Sequence, residues 1–171
     1  MERSDRGSLA VREASGEDVE AFAEFLTAAW QQSGPDAPGF AGATDEVIAE
    51  LVTRDALLER IGGPDRRMFL AWEGGRIVGF AAMKRIDVET VELAGIIVLP
   101  SCAGRGVGTA VVDEVLRRGR DERYRTVIVR TETTNQAARA FYEARGFELG
   151  EITVERVGDV SVQVWELSHD L

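Results

Sequence analysis

Apolar and polar positions recur along this chain at the spacings of short strands and amphipathic helices. The polar segment 1–7 is expected to fray, and Leu9 and Val11 alternating with Ala10 and Arg12 predict a strand over 9–13. Ser15, followed three residues later by Asp18, reads as a capping box. Val19, Phe22, Phe25, Leu26, Ala29 and Trp30 then recur at helical spacing, an apolar stripe on a helix of about four turns. The stretch 31–43 is rich in Gly, Pro and small residues and reads as loop. Thr44 is a helix cap, and Val47, Ile48, Leu51, Leu57, Leu58 and Ile61 predict a second helix that Gly62-Gly63-Pro64 ends. Met68–Trp72 and Arg76–Ala82 flank Glu73-Gly74-Gly75 and predict a hairpin.

A further strand is expected over Val91–Leu99, then a glycine-rich loop and a helix to about Gly119. Strand Thr126–Thr131 and helix Asn135–Arg145 with Gly146 at its end follow. A last hairpin, Phe147–Val157 and Val160–Leu167, turns at Gly158-Asp159. The order β-α-α-β-β-β-α-β-α-β-β mixes hairpins with strand-helix-strand crossovers. It predicts one mixed α/β sheet with helices on both faces, in a single domain over 1–171.

A length of 171 residues suits one domain with a real core. A net charge of −10 argues against nucleic acid as a partner and mildly favours a cationic or amine substrate. No apolar run approaches the length of a membrane span and the N-terminus is too polar for a signal peptide, so a cytoplasmic protein is expected. Cys102 is the only cysteine and His169 the only histidine, which excludes a disulfide framework, zinc clusters and triads built on several histidines. His169, third from the end, reads as a solvated tail residue.

The clearest chemistry lies in 95–109, Gly-Ile-Ile-Val-Leu-Pro-Ser-Cys-Ala-Gly-Arg-Gly-Val-Gly-Thr. Pro100 stops a β-branched run, and Gly104, Gly106 and Gly108 open a helix whose N–H groups and dipole suit a phosphate or pyrophosphate. Arg105 adds a cation beside them. The spacing is not that of a P-loop, which needs G-x-x-x-x-G-K-[ST], nor of a dinucleotide fingerprint, because Thr109 stands where the third glycine belongs.

Val98-x-Pro100 followed by Gly104-x-Gly106-x-Gly108 resembles the acetyl-CoA-binding signature of the GNAT superfamily of N-acetyltransferases. Downstream, Asn135-Gln136-Ala137-Ala138-Arg139-Ala140-Phe141-Tyr142-Glu143-Ala144-Arg145-Gly146-Phe147 is similar to that family's N-x-x-A-x-x-x-Y-x-x-x-G-F segment. The resemblance implies a central mixed, mostly antiparallel sheet of about seven strands and about four helices. It also implies a gap between two splayed strands for the pantetheine arm. One departure is Ala103, where the family usually has Gln or Arg, which implies weaker coenzyme binding.

By the same resemblance, backbone groups of Ile96, Ile97 and Val98 bond the pantetheine and thioester, and amides of Gly104, Arg105, Gly106, Val107, Gly108 and Thr109 hold the pyrophosphate. Asn135 matches a position that bonds the coenzyme arm while capping its helix, and Tyr142 one that protonates the leaving thiolate. Glu92, six residues before Val98, matches a general base acting through water, with Glu132 and Asp87 as weaker candidates. Strand alternation sets Glu92 opposite Val91 and Leu93, toward the cleft. Cys102 sits at the phosphate end, so direct transfer to a primary amine is expected rather than an acetyl-cysteine. Trp30 reads as core, with the alternative that it and Phe40 line the acceptor site.

The implied activity is acetyl transfer from acetyl-CoA, as co-substrate, to a small-molecule amine. Acetylation of a peptide N-terminus or lysine, a non-catalytic acyl-CoA-binding regulatory module and a nucleotide-binding protein stay open. Strands of the C-terminal hairpin offer an edge for a homodimer.

Overall fold

The computed structural model describes residues 7–34 and 43–171. The strands are β1 (Ala10–Glu13), β2 (Arg66–Glu73), β3 (Arg76–Arg85), β4 (Thr90–Val98), β5 (Thr126–Glu132), β6 (Glu148–Val157) and β7 (Val160–Asp170). The helices are α1 (Val19–Ser33), α2 (Asp45–Leu51), α3 (Arg54–Ile61), α4 (Val107–Asp121) and α5 (Gln136–Glu143). The strands form one seven-stranded sheet in the order β1-β2-β3-β4-β5-β7-β6. β4 and β5 are parallel, whereas β1–β2, β5–β7 and β6–β7 are antiparallel.

The chain divides into two compact units, Met1–Met83 with Gly95–Val115, and Lys84–Ala94 with Leu116–Leu171. In the first unit the stripe predicted on α1 is buried at Val19, Phe22, Phe25, Leu26 and Ala29. Phe22 and Phe25 each meet the Phe80 ring of β3 edge-on, at 5.2 and 6.1 Å between centroids. The Ser15 N–H and hydroxyl both donate to Asp18 Oδ2, which Arg12 also grips, so one carboxylate organises the entry to α1. That entry is a 3-10 turn over Gly16–Asp18, and the far end of α1 runs through Gln31 and Gln32, which the sequence reads as loop.

The single helix expected after Thr44 is two. Thr44 caps α2 by accepting from the Val47 N–H, and Thr53 interrupts the apolar periodicity by capping α3 in the same way through the Ala56 N–H. Among the described residues there are therefore five helices, in keeping with the expected about four.

In the second unit β4 pairs with β5 over the first four residues of each, Thr90↔Thr126 to Leu93↔Val129. Alternation then sorts the side chains. Val91, Leu93, Val127, Val129, Trp165, Leu167 and His169 share one face, and Glu92, Ile128, Arg130 and Glu166 the other. The helical pieces of this unit cover the first of these faces. Gly119 of α4 comes so close to the sheet that a Cβ there would stand 2.7 Å from Leu171 Cδ1, just past β7, and 3.6 Å from Val127 Cγ2 of β5, and Arg139 of α5 stacks 4.7 Å from the Trp165 ring centroid. β7 continues through His169, so the only histidine is a strand residue packed edge-on against Phe147 at 5.2 Å, not a solvated tail.

Candidate active site

The glycine loop belongs to the first unit. The N–H of Leu99 donates to the Val78 carbonyl of β3 at 2.9 Å, and Pro100–Cys102 forms a 3-10 turn that the sequence does not announce. Cys102 is buried beneath the loop, while Ala103, Gly104, Arg105 and Gly106 are exposed. Gly104 and Gly106 adopt φ of +72° and +82°, and a Cβ on either would meet nothing within 4 Å. Left-handed backbone explains glycine at both positions, and the open space leaves the loop's backbone approachable by a ligand. The Gly106 carbonyl accepts from the Ala110 N–H, so α4 starts there and presents its first-turn N–H groups, beginning with Val107 and Gly108.

What lets the helix start sit against β3 is Gly79, whose Cβ would come within 2.6 Å of Val107 Cγ1. Ile96, Ile97 and Val98 are half-buried on the strand that leads into the loop. Arg105 is engaged. Its Nη2 donates to both oxygens of Glu73 at 2.7 and 2.6 Å, and its Nη1 donates to Cys102 Sγ at 3.5 Å.

The second unit holds the other candidate residues. Asn135 caps α5, its Oδ1 accepting from the Ala138 N–H at 3.0 Å. Tyr142 is 4% exposed, with its ring edge-on to Phe141 and Phe147 at 5.2 and 5.6 Å. Burial pushes its phenol up to about 12, against a smaller opposing pull from Arg145. A phenol so placed stays protonated at neutral pH.

Glu92 lies on the opposite sheet face from the helix that carries Tyr142. Its Oε1 accepts from Arg130 Nη1 at 3.1 Å, and the same guanidinium reaches Glu166 Oε2 at 3.1 Å and Glu155 Oε1 at 3.5 Å. One arginine thus meets carboxylates from β4, β6 and β7.

The sequence matches the acetyltransferase (GNAT) family over residues 20–147. The chain belongs to that family. An uncharacterized N-acetyltransferase of Mycobacterium bovis is 33% identical to this GNAT chain over 100 residues, covering 58% of it and 64% of the relative. The mycothiol acetyltransferase of Corynebacterium glutamicum is 30% identical over 164 residues, covering 88% of this chain and 54% of its own length. The chain therefore spans less than two thirds of the length of either relative. Among solved structures, a probable acetyltransferase from Staphylococcus epidermidis shares the fold at a TM-score of 0.76 and 15% identity, over 95% of this chain and 99% of that one. The PaiA N-acetyltransferase of Thermoplasma acidophilum, solved in complex with coenzyme A, does so at 0.68 and 20%, over 92% and 98%.

Within this GNAT chain Gly104, Arg105 and Gly106 lead directly into the start of α4, whose first residues are Val107, Gly108 and Thr109. Trp30 is not core. It is half-buried, donates from Nε1 to Asp45 Oδ1 at 2.7 Å, and lines a cavity of about 750 Å³ with Thr27, Gln31 and Ile48. Phe40 lies outside the described residues. Arg130, Glu155, Glu166 and Glu73 are absent from the sequence-derived candidates. For Arg130 a signal exists, a charge ending the β-branched run Val127-Ile128-Val129 on the face of Ile128, the register partner of Glu92. For Glu73, in a hairpin 32 residues from Arg105, there is none.

Proposed function

We propose that this chain is a single acetyltransferase domain that moves an acetyl group from acetyl-CoA to a primary amine by direct attack, with a small molecule as the acceptor. The observation that carries this reading is the glycine loop of a GNAT-family chain, left-handed at Gly104 and Gly106, open to solvent, and running into the start of a 15-residue helix. Backbone N–H groups from Gly104 to Thr109 would hold the pyrophosphate, and backbone groups of Ile96, Ile97 and Val98 the pantetheine arm and thioester carbonyl. Asn135 spends Oδ1 on its helix cap and keeps its amide N–H₂ for the coenzyme.

In the reaction, a C–N bond forms as the thioester C–S bond breaks. The proton lost by the ammonium goes to Glu92 through water, and the departing sulfur takes the proton of Tyr142. Two features support a cationic small-molecule acceptor. The chain carries a net charge of −10, and on one sheet face three carboxylates share a single guanidinium. The cytoplasm is part of the same proposal; among the described residues no helix is long and apolar enough to cross a membrane.

The experiment is thiol release from acetyl-CoA against a panel of small amines, peptides and aminoglycosides, beside calorimetric binding of coenzyme A. Release with small amines above all other classes is the expected result. Tight coenzyme binding with no release for any amine would instead make the chain a non-catalytic acyl-CoA-binding module.

A further inference from the structure

Arg130 is a charged residue inside β5, directly after the β-branched run Thr126-Val127-Ile128-Val129, and the proton transfers above do not use it. On β5 it faces Glu166 of β7 as its direct register partner and stands two residues beyond Ile128, the partner of Glu92 on β4. Its guanidinium is divided among three carboxylates. Nη1 meets Glu92 Oε1 at 3.1 Å, Nη2 meets Glu166 Oε2 at 3.1 Å, and Nε meets Glu155 Oε1 at 3.5 Å. Glu92 is the most enclosed of the three, its side chain 15% exposed against 41% and 36% for Glu155 and Glu166. Among the described residues, Arg130 is its only hydrogen-bond partner, through Oε1, which leaves Oε2 for water. The other cations near the β3–β4 hairpin, Lys84 and Arg85, are exposed.

We propose that Arg130 is a positioning residue for acetyl transfer, holding the Glu92 carboxylate in one orientation so that Oε2 can take the amine's proton through water. This rests on the acetyltransferase reading and on Glu92 as its base. Without the guanidinium, three carboxylates on one patch of sheet would lose their shared partner and repel one another, letting Glu92 swing. Glu155 and Glu166 complete the arrangement by holding the fork from its other edge, so the arginine stays in place and cannot fold over onto Glu92. Only arginine offers a planar fork wide enough for three partners, so lysine should substitute in part.

The test compares wild type, Arg130→Gln, Arg130→Lys, Glu92→Gln and the Glu92→Gln/Arg130→Gln double variant. The readouts are thiol-release kinetics with the best amine, calorimetric acetyl-CoA affinity and thermal unfolding. Arg130→Gln is expected to lower kcat about tenfold or more with acetyl-CoA affinity within about twofold, and Arg130→Lys to recover part of the loss. In the Glu92→Gln background, removing Arg130 should change kcat by less than about twofold, because its route to the chemistry is already gone. A purely structural arginine would instead give losses that multiply. Multiplying losses, or an unchanged kcat in Arg130→Gln, overturn the proposal while leaving the enzyme reading intact. An unchanged rate in Glu92→Gln overturns both Glu92 as base and Arg130 as its holder. Wild-type protein that releases no thiol with any amine overturns the acetyltransferase reading together with this one. If Arg130→Gln unfolds below the assay temperature, Glu166→Gln carries the test, with a smaller kcat loss expected in the same direction and no loss overturning it.

Discussion

Arg105, the one cationic side chain in the glycine loop, gives its Nη2 to both carboxylate oxygens of Glu73, at 2.7 and 2.6 Å. With Nη2 committed to Glu73, the proposed pyrophosphate contacts fall mainly to the loop's backbone N–H groups. Arg105→Gln is therefore expected to change coenzyme A affinity by less than about threefold and to cost about 1 kcal/mol of stability, the pair being partly exposed. Calorimetry and denaturant unfolding check the two halves separately.

Backbone binding makes the opposite prediction for Gly106. An aspartate there would be strained at φ +82° and would set a negative charge at the helix start. Gly106→Asp should abolish measurable coenzyme binding. Gly106→Asn, which tolerates left-handed backbone better and carries no charge, should retain part of it. Affinity kept in the aspartate variant would move the pyrophosphate site elsewhere.

Gly79 is required by the close approach of α4. A methyl group there would stand 2.6 Å from Val107 Cγ1 and 3.3 Å from the Ile97 carbonyl oxygen. Gly79→Ala should destabilise the protein by about 1–3 kcal/mol through overpacking. Adding Val107→Ala to it should recover part of that loss, and strict additivity of the two in unfolding experiments would show that they do not meet.

Tyr142 links catalysis and stability. Tyr142→Phe should lower kcat about a hundredfold with acetyl-CoA affinity nearly intact, and unchanged turnover would remove Tyr142 as the acid. Burial raises its folded-state value from 10.0 to about 12, so below pH 10 folded and unfolded chains both keep the proton and the full contribution is present. As pH rises from 10 toward 12 the unfolded chain ionises first, and about 2 kcal/mol of stability should be lost. Denaturant unfolding across that window should show the loss in wild type and a flatter profile in Tyr142→Phe.

Features that depend on near neighbours were legible in the sequence. Thr44 and Asn135 cap helices because their side chains reach an N–H three residues on. Gly74-Gly75 and Gly158 turn hairpins because their φ values are positive, and the stripe from Val19 to Ala29 faces the core because helical period and burial agree. The glycine loop was readable for the same reason, since its chemistry is carried by local backbone.

Errors arose where a local signal was shared by two structures. The apolar period from Val47 to Ile61 fits one helix or two, and the Thr53 side chain decided for two. Gln31 and Gln32 carry no strong helix or loop signal, and α1 simply extends through them. His169 read as tail because distance from the end says nothing about strand pairing, whereas its register against Val127 keeps it in the sheet beside Phe147.

The sequence by itself determined the family, the order of elements, the glycine loop and the positions of Asn135, Tyr142 and Glu92 along the chain. Tertiary structure decided what those residues touch. Arg130 meets Glu92 from 38 residues away and Glu166 from 36, and Arg105 meets Glu73 from 32. Such pairs are set by strand register and helix placement, which follow from burying the whole core at once and leave no periodic trace near either partner.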